Sequence, residues 1–277
     1  MILLDGKYIA AQIRAELKAK VSALVAEGHR APCLGIVIVG HNPASETYVA
    51  NKMKACTEAA IEVRKIALEE QVSESELLSC VAQLNKDASI DGFIVQLPLP
   101  PHINEQNVLS AIDYRKDVDG LTAENIGRTM QGLPSIVSAT PRGIGELLSR
   151  YHIPTEGTHV VVIGSPVNAL AIKDAAVTIC SSKTPDLRDI CLTADIIIVA
   201  AGSPGLLTAD MVREGTTVID SGFTRVKRDD GYRLVGDVDF ASVAPKCAYI
   251  TPMPGGVGPM TIAGLLSNTV QAYEIHR

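Results

Sequence analysis

Short apolar runs rich in Val and Ile recur along this chain, and segments of helix or loop length separate them. The runs do not alternate with polar residues, as a strand with one solvated face would. They therefore predict parallel sheets covered on both faces, in an open α/β fold of repeated strand–helix units. The runs are CLGIVIVG (33–40), GFIVQLPLP (92–100), HVVVIG (159–164), AAVTIC (175–180), ADIIIVAAG (194–202) and TTVIDSG (216–222).

Helical spacing appears between the first two runs, in SETYVANKMKACTEAA (45–60) and SESELLSCVAQLNKD (73–87). Ser73 and Ser75 are candidate N-caps of the second helix. A terminal helix is predicted over TIAGLLSNTVQAYEIHR (261–277). The prediction is an α/β protein of two lobes, each a mostly parallel open sheet with helices on both faces.

The domain boundaries follow from a change of character near 112–142, a polar stretch with Gly and Pro that we interpret as a connection. The apolar run ending at Gly164 marks the place where the phosphates of a nucleotide are expected, so the second lobe is interpreted as Rossmann-like. We predict a first lobe of residues 1–120 with the helix 259–277, a connection over 121–140 and a dinucleotide-binding lobe over 141–258.

The composition limits the classes of partner that the chain is expected to bind. The chain has 277 residues, is 47% hydrophobic and carries a formal charge of -6, which argues against a nucleic-acid partner. The N-terminal residues fit neither a signal peptide nor a spanning helix, so no membrane partner is expected. Six scattered cysteines form no C-x-x-C pair, which favours reduced thiols in a cytoplasmic protein and predicts no metal site.

Two motifs carry candidate proton chemistry. In YVANK, Tyr48 and Lys52 lie four residues apart, on one face of a helix. A lysine that lines a cleft loses hydration, which lowers its pKa, and a tyrosine could orient it; the alternative is a solvated helix face. Gln96 ends an apolar strand before Pro98 and Pro100. Its amide could fix a ligand or a lysine, or cap the backbone at the strand end.

Two further motifs predict binding loops. KDVDG places Asp117 and Asp119 before Gly120. A carboxylate there could accept two hydrogen bonds from an amidine-like edge, or the motif could be an Asx turn. TPMPGGVGPMT (251–261) contains three prolines and three glycines within nine residues, which predicts no regular element. Its glycines allow close backbone approach to a ligand; the alternative is a rigid interdomain turn.

Taken together and in this order, five strings resemble the bifunctional methylenetetrahydrofolate dehydrogenase/methenyltetrahydrofolate cyclohydrolase family. The resemblance covers essentially the whole chain. It implies a folate cleft between the lobes, hydride transfer from 5,10-methylenetetrahydrofolate to NADP and hydrolysis of the methenyl product to 10-formyltetrahydrofolate. It also implies a homodimer. The strings are NPASETYVANKMKAC, DGFIVQLPLP, KDVDGLTAENIGR, TPRG and YITPMPGGVGPMT.

The same resemblance implies roles for individual residues. Lys52 would handle the proton of the hydration step, and Gln96 would hold and tune it. Tyr48 would pack along the folate, and Asp119 would bind the amino/N3 edge of the pterin. Further folate contacts would be Val95, Leu97, Pro254, Gly255 and Gly256. Cofactor contacts would be Gly164, Ser165, Ser182, Thr184, Gly202, Ser203, Gly222 and Thr224.

One region departs from the family pattern, in which the strand is followed by a loop resembling G-R-S-x-x-V-G-x-P and then a helix. Here Ser165 and Pro166 follow Gly164 at once, and CSSKT (180–184) has Ser181 in place of the family's His. NAD stays possible because the Arg that would bind the 2′-phosphate of NADP is not present.

Three interpretations of this gap compete. A true deletion would leave a cyclohydrolase with weak or no NADP binding. Alternatively, a shortened loop binds the dinucleotide through Gly164, Ser165 and the following helix. The third, favoured because a deletion would remove the turn from strand to helix, is a mobile loop missing from the sequence as written. In that case Cα atoms near 164–169 would lie farther apart than the ~3.8 Å of adjacent residues.

Overall fold

The computed structural model describes residues 1–228 and 231–277. The chain divides into two compact units, named here by their main sheets. The three-stranded unit comprises residues 11–139 and 262–277, and the six-stranded unit comprises residues 1–10 and 140–261. The first ten residues, predicted to lie in the first lobe, thus belong to the six-stranded unit.

The sheets are built from strands that match the apolar runs in position and from further strands that the runs did not show. The strands are β1 (Ile2–Leu3), β2 (Cys33–Val39), β3 (Glu62–Leu68), β4 (Gly92–Val95), β5 (His159–Gly164), β6 (Ala176–Cys180), β7 (Ile196–Ala200), β8 (Thr217–Asp220), β9 (Thr224–Arg228), β10 (Gly231–Val235) and β11 (Tyr249–Ile250).

Helices lie between most of these strands. The α-helices are α1 (Gly6–Ala26), α2 (Pro43–Glu58), α3 (Glu74–Lys86), α4 (Glu105–Ser110), α5 (Ala123–Met130), α6 (Ala139–Arg150), α7 (Leu187–Cys191), α8 (Phe240–Val243) and α9 (Val257–His276). Short 3-10 helices cover Pro166–Ala171, Ala209–Met211 and Ala244–Lys246. Among the residues described, no helix is both long and apolar enough to cross a membrane.

The three-stranded unit has a parallel sheet in the order β3-β2-β4. Every residue of the central strand β2 is buried, and its side chains alternate between two apolar clusters. Leu34, Ile36 and Ile38 pack with residues of α2 and α9. Val37 and Val39 pack with residues of α3 and α4. The prediction of a parallel sheet covered on both faces is therefore confirmed here.

The six-stranded unit has a parallel sheet in the order β1-β11-β8-β7-β5-β6. β7 pairs with both β5 and β8, so the carboxyl ends of these three strands lie side by side. The loops that begin after Gly164, Ala200 and Asp220 consequently start at neighbouring points on one edge of the sheet. This arrangement confirms the prediction of a Rossmann-like second unit. β9 and β10 form a separate antiparallel hairpin.

Several predicted bounds were wrong. The strand in the run 92–100 ends at Val95, one residue before the predicted end at Gln96, and Pro98 and Pro100 beyond it have no N–H for a ladder. The predicted connection contains α5, whose N-cap Thr122 accepts a hydrogen bond from the N–H of Asn125. That helix has only eight residues, too few for a clear period.

The terminal helix starts earlier than predicted, at Val257, inside the string 251–261 that predicts no regular element. A proline in a first turn is compatible with a helix, because the N–H it lacks has no helical acceptor there, and Pro259 occupies such a position. The α3 prediction is confirmed: Ser73 is the N-cap and forms a capping box with Glu76, whereas Ser75 lies within the helix.

Candidate active site

A buried lysine and an amide meet in the three-stranded unit. The Nζ of Lys52 donates to the Oε1 of Gln96 at 3.1 Å, and Lys52 is only 6% exposed. Helix α2 supplies the lysine, and the residue following β4 supplies the amide. The backbone N–H of Gln96 donates to the carbonyl of Val37 at 2.8 Å, which fixes the amide beside the central strand. The solvated-face alternative for Lys52 is therefore wrong.

Tyr48 lies one helical turn before Lys52, as the spacing predicted. The Nζ of Lys52 is 5.7 Å from the centre of the Tyr48 ring, within range of a cation–π interaction. Burial raises the pKa of the Tyr48 hydroxyl, and the negative charge of Asp119 adds to this effect. Asp119 is thus close enough to act on the tyrosine. The structure brings Tyr48, Lys52 and Gln96 together, and the charge of Asp119 acts on the first of these.

The loop that carries Asp119 is held by Asp117 and by an asparagine that the sequence analysis did not single out. The carboxylate of Asp117 accepts hydrogen bonds from the N–H groups of Gly120 and Thr122, at 2.9 and 2.7 Å. Asp117 therefore has a structural role in this loop, although its side chain bonds to residues three and five positions on and not two, as in an Asx turn. The Nδ2 of Asn268, on α9, donates to the carbonyls of Val118 and Val137 at 2.7 and 2.8 Å. These bonds fix the backbone on either side of Asp119.

The two residues flanking Gln96 differ in exposure. Val95 is buried in the apolar cluster on the α3 side of the sheet, and Leu97 packs partly buried against the same cluster. The side chain of Val95 is therefore part of the core. Its predicted folate contact remains a prediction.

Cys56 gives a direct chemical test of burial beside Lys52. Burial raises the pKa of its thiol to about 12, although the charge of Lys52 acts in the opposite direction. At pH 8 such a thiol is a thiolate in about 1 molecule in 10,000, against about a quarter for an ordinary thiol with a pKa of about 8.5. We expect iodoacetamide at pH 8 to modify Cys56 over 1,000-fold more slowly (about the ratio of these fractions) in the folded than in the urea-unfolded protein.

Peptide mass spectrometry over a time course measures both rates. The half-buried Cys80 is the internal comparison and should react faster than Cys56 in the folded protein. Equal rates for Cys56 in the folded and unfolded chains would contradict the buried environment of this helix face.

The proline–glycine string belongs to the six-stranded unit, where its backbone packs against the start of α1. The carbonyl of Gly255 accepts a hydrogen bond from the N–H of Lys7 at 2.9 Å. A Cβ on Gly6 would lie 1.8 Å from the carbonyl oxygen of Gly256, so two backbones approach closely here. A structural role for the string is therefore established. The predicted folate contacts of Pro254, Gly255 and Gly256 stay predictions.

Buried carboxylates organise the loops after β7 and β8. The Oδ2 of Asp237 accepts hydrogen bonds from the N–H groups of Ala201 and Gly202, at 2.7 and 2.8 Å. The Oδ1 of Asp220 accepts from the N–H groups of Gly222 and Asp237, at 2.9 and 3.0 Å. Burial raises the pKa of Asp220, and the nearby Asp237 adds to the effect. The sequence did not single out Asp237, which lies in an ordinary-looking GDVD string.

The other predicted cofactor residues differ from one another in exposure and in hydrogen bonding. Thr184 belongs to a turn after β6, where its hydroxyl accepts from the N–H of Ser181 at 2.8 Å. Ser182 and Ser203 are exposed, and Thr224 is half-buried at the start of β9. Among the described residues, no recorded hydrogen bond joins any two of these four side chains.

The turn after β5 differs from the strand–loop–helix pattern. The N–H of Ser165 donates to the carbonyl of Ala200 at 3.0 Å, and the N–H of Asn168 donates to that of Ser165 at 3.3 Å. The chain therefore turns directly from the strand into the 3-10 helix Pro166–Ala171. A deletion therefore need not remove the turn from strand to helix. The missing mobile loop is favoured only on the ground that a deletion would remove this turn, and that ground no longer holds. The helix expected by the second interpretation is only this 3-10 helix.

Adjoining glycine loops at one sheet edge, and a separate unit with a buried lysine–amide pair, define a two-domain α/β enzyme with a Rossmann-like unit. Residues 4–119 match the family model described as tetrahydrofolate dehydrogenase/cyclohydrolase, catalytic domain, and residues 138–277 match its NAD(P)-binding domain. The chain belongs to the tetrahydrofolate dehydrogenase/cyclohydrolase family, and it is a bifunctional dehydrogenase and cyclohydrolase of one-carbon metabolism.

Relatives and solved structures agree with this assignment. A bifunctional protein FolD from Porphyromonas gingivalis is 54% identical over 98% of this chain and 97% of its own length. The bifunctional FolD of Campylobacter jejuni has a TM-score of 0.95 at 44% identity, with 100% of each chain covered. A FolD of Trypanosoma brucei, solved with NADP and an inhibitor, has a TM-score of 0.93 at 36% identity over 99% of this chain and 98% of its own.

The six-stranded unit fits a dinucleotide only in part. The loops after β7 and β8 are ordered by buried carboxylates, at the sheet edge where nucleotides bind in this architecture. The segment after β5, by contrast, does not form the α-helix whose N-terminus usually holds the phosphates.

Proposed function

We propose that the enzyme oxidises 5,10-methylenetetrahydrofolate to the 5,10-methenyl form with NADP and then hydrolyses the product to 10-formyltetrahydrofolate. Membership of the family supports both activities. The observation that carries the hydrolytic half is the hydrogen bond between Lys52 and Gln96, formed by a lysine that is almost fully buried. A lysine is rarely buried without a specific role.

The chemistry of hydration suits this lysine. The methenyl carbon belongs to a cationic amidinium, so water needs only a base that removes its proton as the new C–O bond forms. The adduct then collapses: the bond from that carbon to one nitrogen breaks, this nitrogen gains a proton and the hydroxyl loses one. Lys52 is the group proposed to carry these protons. An arginine could not do so, since it does not deprotonate in proteins.

Three neighbours would position the lysine and the substrate. The Oε1 of Gln96 accepts a hydrogen bond from the ammonium group of Lys52, and this bond restricts the directions of the remaining N–H bonds of the lysine. Tyr48 would pack along the folate, and Asp119 would accept two hydrogen bonds from the amino/N3 edge of the pterin. Val95, Leu97, Pro254, Gly255 and Gly256 are proposed as further parts of the folate cleft.

The dinucleotide, when bound, accepts the hydride; the protein contributes geometry to that step, not an acid or a base. Gly202, Ser203, Gly222 and Thr224 are proposed to lie near it, as are Ser182 and Thr184. NADP is the proposed cofactor, and the NADP in the Trypanosoma brucei structure supports this choice. A homodimer and a cytoplasmic location are also proposed, the latter in keeping with the free cysteines.

Separate assays test the two halves of the proposal. We expect the purified protein to hydrolyse methenyltetrahydrofolate without dinucleotide and to form NADPH when methylenetetrahydrofolate and NADP are both supplied. Hydrolysis without any NADPH formation would identify a cyclohydrolase alone. Activity in neither assay, with folate still bound, would identify a catalytically silent folate-binding module and overturn the proposed function.

A further inference from the structure

The connection between β5 and β6 is unusually short for two parallel neighbours. Only residues 165–175 join them, and the regular structure in this described stretch is the six-residue 3-10 helix Pro166–Ala171. Parallel strands are normally joined by a dozen or more residues that include an α-helix. The Ser165 side chain makes no capping bond at the start of this 3-10 helix.

The outer strand β6 shows the effect of that short connection. Val177 and Ile179 lie two residues apart on one face of β6, and they are 38% and 51% exposed. Apolar side chains on a parallel strand are ordinarily covered by the crossover helix. In addition, the match with the Porphyromonas gingivalis relative spans 286 residues, more than the 277 of this chain. That relative therefore contains residues that this chain lacks.

Three backbone donors at this sheet edge are already engaged. The N–H of Ser165 donates to the carbonyl of Ala200. The N–H groups of Gly202 and Gly222 donate to the carboxylates of Asp237 and Asp220. Moreover, a Cβ on Gly164 would lie 2.1 Å from the carbonyl oxygen of Ala200, so this glycine is required for contact between β5 and β7.

A dinucleotide in a Rossmann-like unit normally places its pyrophosphate on N–H groups at the N-terminus of the first crossover helix. We infer that this chain lacks that phosphate site and binds NADP weakly, through the loops after β7 and β8, while its cyclohydrolase activity is independent of the dinucleotide. Only the statement about cyclohydrolase activity rests on the proposed function. The missing contacts are hydrogen bonds to charged oxygens, so their loss weakens binding by roughly 10- to 100-fold.

A graft tests the inference. Residues 165–174 are replaced by the corresponding segment of the Porphyromonas gingivalis relative, and NADPH binding is measured by its fluorescence in both proteins without folate. We expect the unmodified chain to bind NADPH at least 10-fold more weakly than the graft. Methenyltetrahydrofolate hydrolysis should proceed at the same rate in both, which shows that the graft is folded.

Equal dissociation constants for the two proteins would overturn the inference. If the graft fails to fold, the unmodified chain is compared with the intact relative, and an equal affinity for NADPH again overturns it. If the unmodified chain does not hydrolyse methenyltetrahydrofolate, the proposed function is contradicted and this inference is not. The two outcomes are distinguishable because NADPH binding is measured in a separate assay.

Discussion

Replacement of Lys52 by Met is expected to lower the rate of methenyltetrahydrofolate hydrolysis by about 100- to 10,000-fold, the range that a positioned proton-transfer group contributes. Met has a similar length and is apolar, so it suits a position that is almost fully buried. It cannot exchange a proton. Folate binding should change little, because Tyr48 and Asp119 are retained. Single-turnover hydrolysis and calorimetric folate titration measure the two effects separately.

Two further variants show whether the loss of hydrolysis comes from lost proton transfer, from the lost positive charge or from a disturbed helix. Lys52→Arg keeps the positive charge but provides no neutral base, so it should be as inactive as Lys52→Met. Lys54 is an exposed lysine on the same helix, and Lys54→Met should hydrolyse the substrate normally. Full hydrolysis by Lys52→Met would refute the role assigned to this lysine.

Replacement of Asp119 by Ala is expected to weaken folate binding by roughly 10- to 100-fold, since hydrogen bonds to a charged group are worth about 1.5–3 kcal/mol. The backbone of the loop should persist, because the carbonyl of Asp119 accepts from the N–H of Ala139 at 3.0 Å whatever the side chain. The dissociation constant for tetrahydrofolate, measured by calorimetry, gives the effect directly.

The Asp119 prediction has an internal control and a second readout. Asp113 is a carboxylate of the same unit that pairs with Arg115, and Asp113→Ala should leave folate affinity unchanged. The charge of Asp119 also helps to raise the pKa of Tyr48, so Asp119→Ala should move that pKa towards its ordinary value. An unchanged folate dissociation constant would reject the assignment even if the tyrosine responds.

Local patterns were sufficient for much of the fold and for part of the site. Continuous Val and Ile runs predicted buried parallel strands because such strands have no solvated face to require polar residues. The four-residue spacing of Tyr48 and Lys52 predicted a shared helix face because that spacing is close to one turn. β3 gave no such signal, because its sequence EVRKIAL mixes three charged residues with apolar ones and all its residues are exposed or half-buried.

The supporting contacts could not be predicted, because they join residues far apart in the chain. Asn268 lies 150 residues from Val118, and no local pattern distinguishes it from an ordinary helical asparagine. Asp237 likewise becomes informative only once its carboxylate is seen to hold the loop after β7. Similarly, the missing crossover helix was visible as a gap in a motif, but its physical consequence, the exposure of Val177 and Ile179, required the structure.

The contribution of α9 to the three-stranded unit has a consequence for biosynthesis. Leu265, Leu266 and Val270 of that helix complete the cluster around β2, and Asn268 holds the loop of Asp119. A ribosome makes most of this helix only after residues 140–261. The nascent chain therefore carries Lys52 through the synthesis of these residues without a finished core around it, and the cluster around β2 is complete only after α9 has left the exit tunnel.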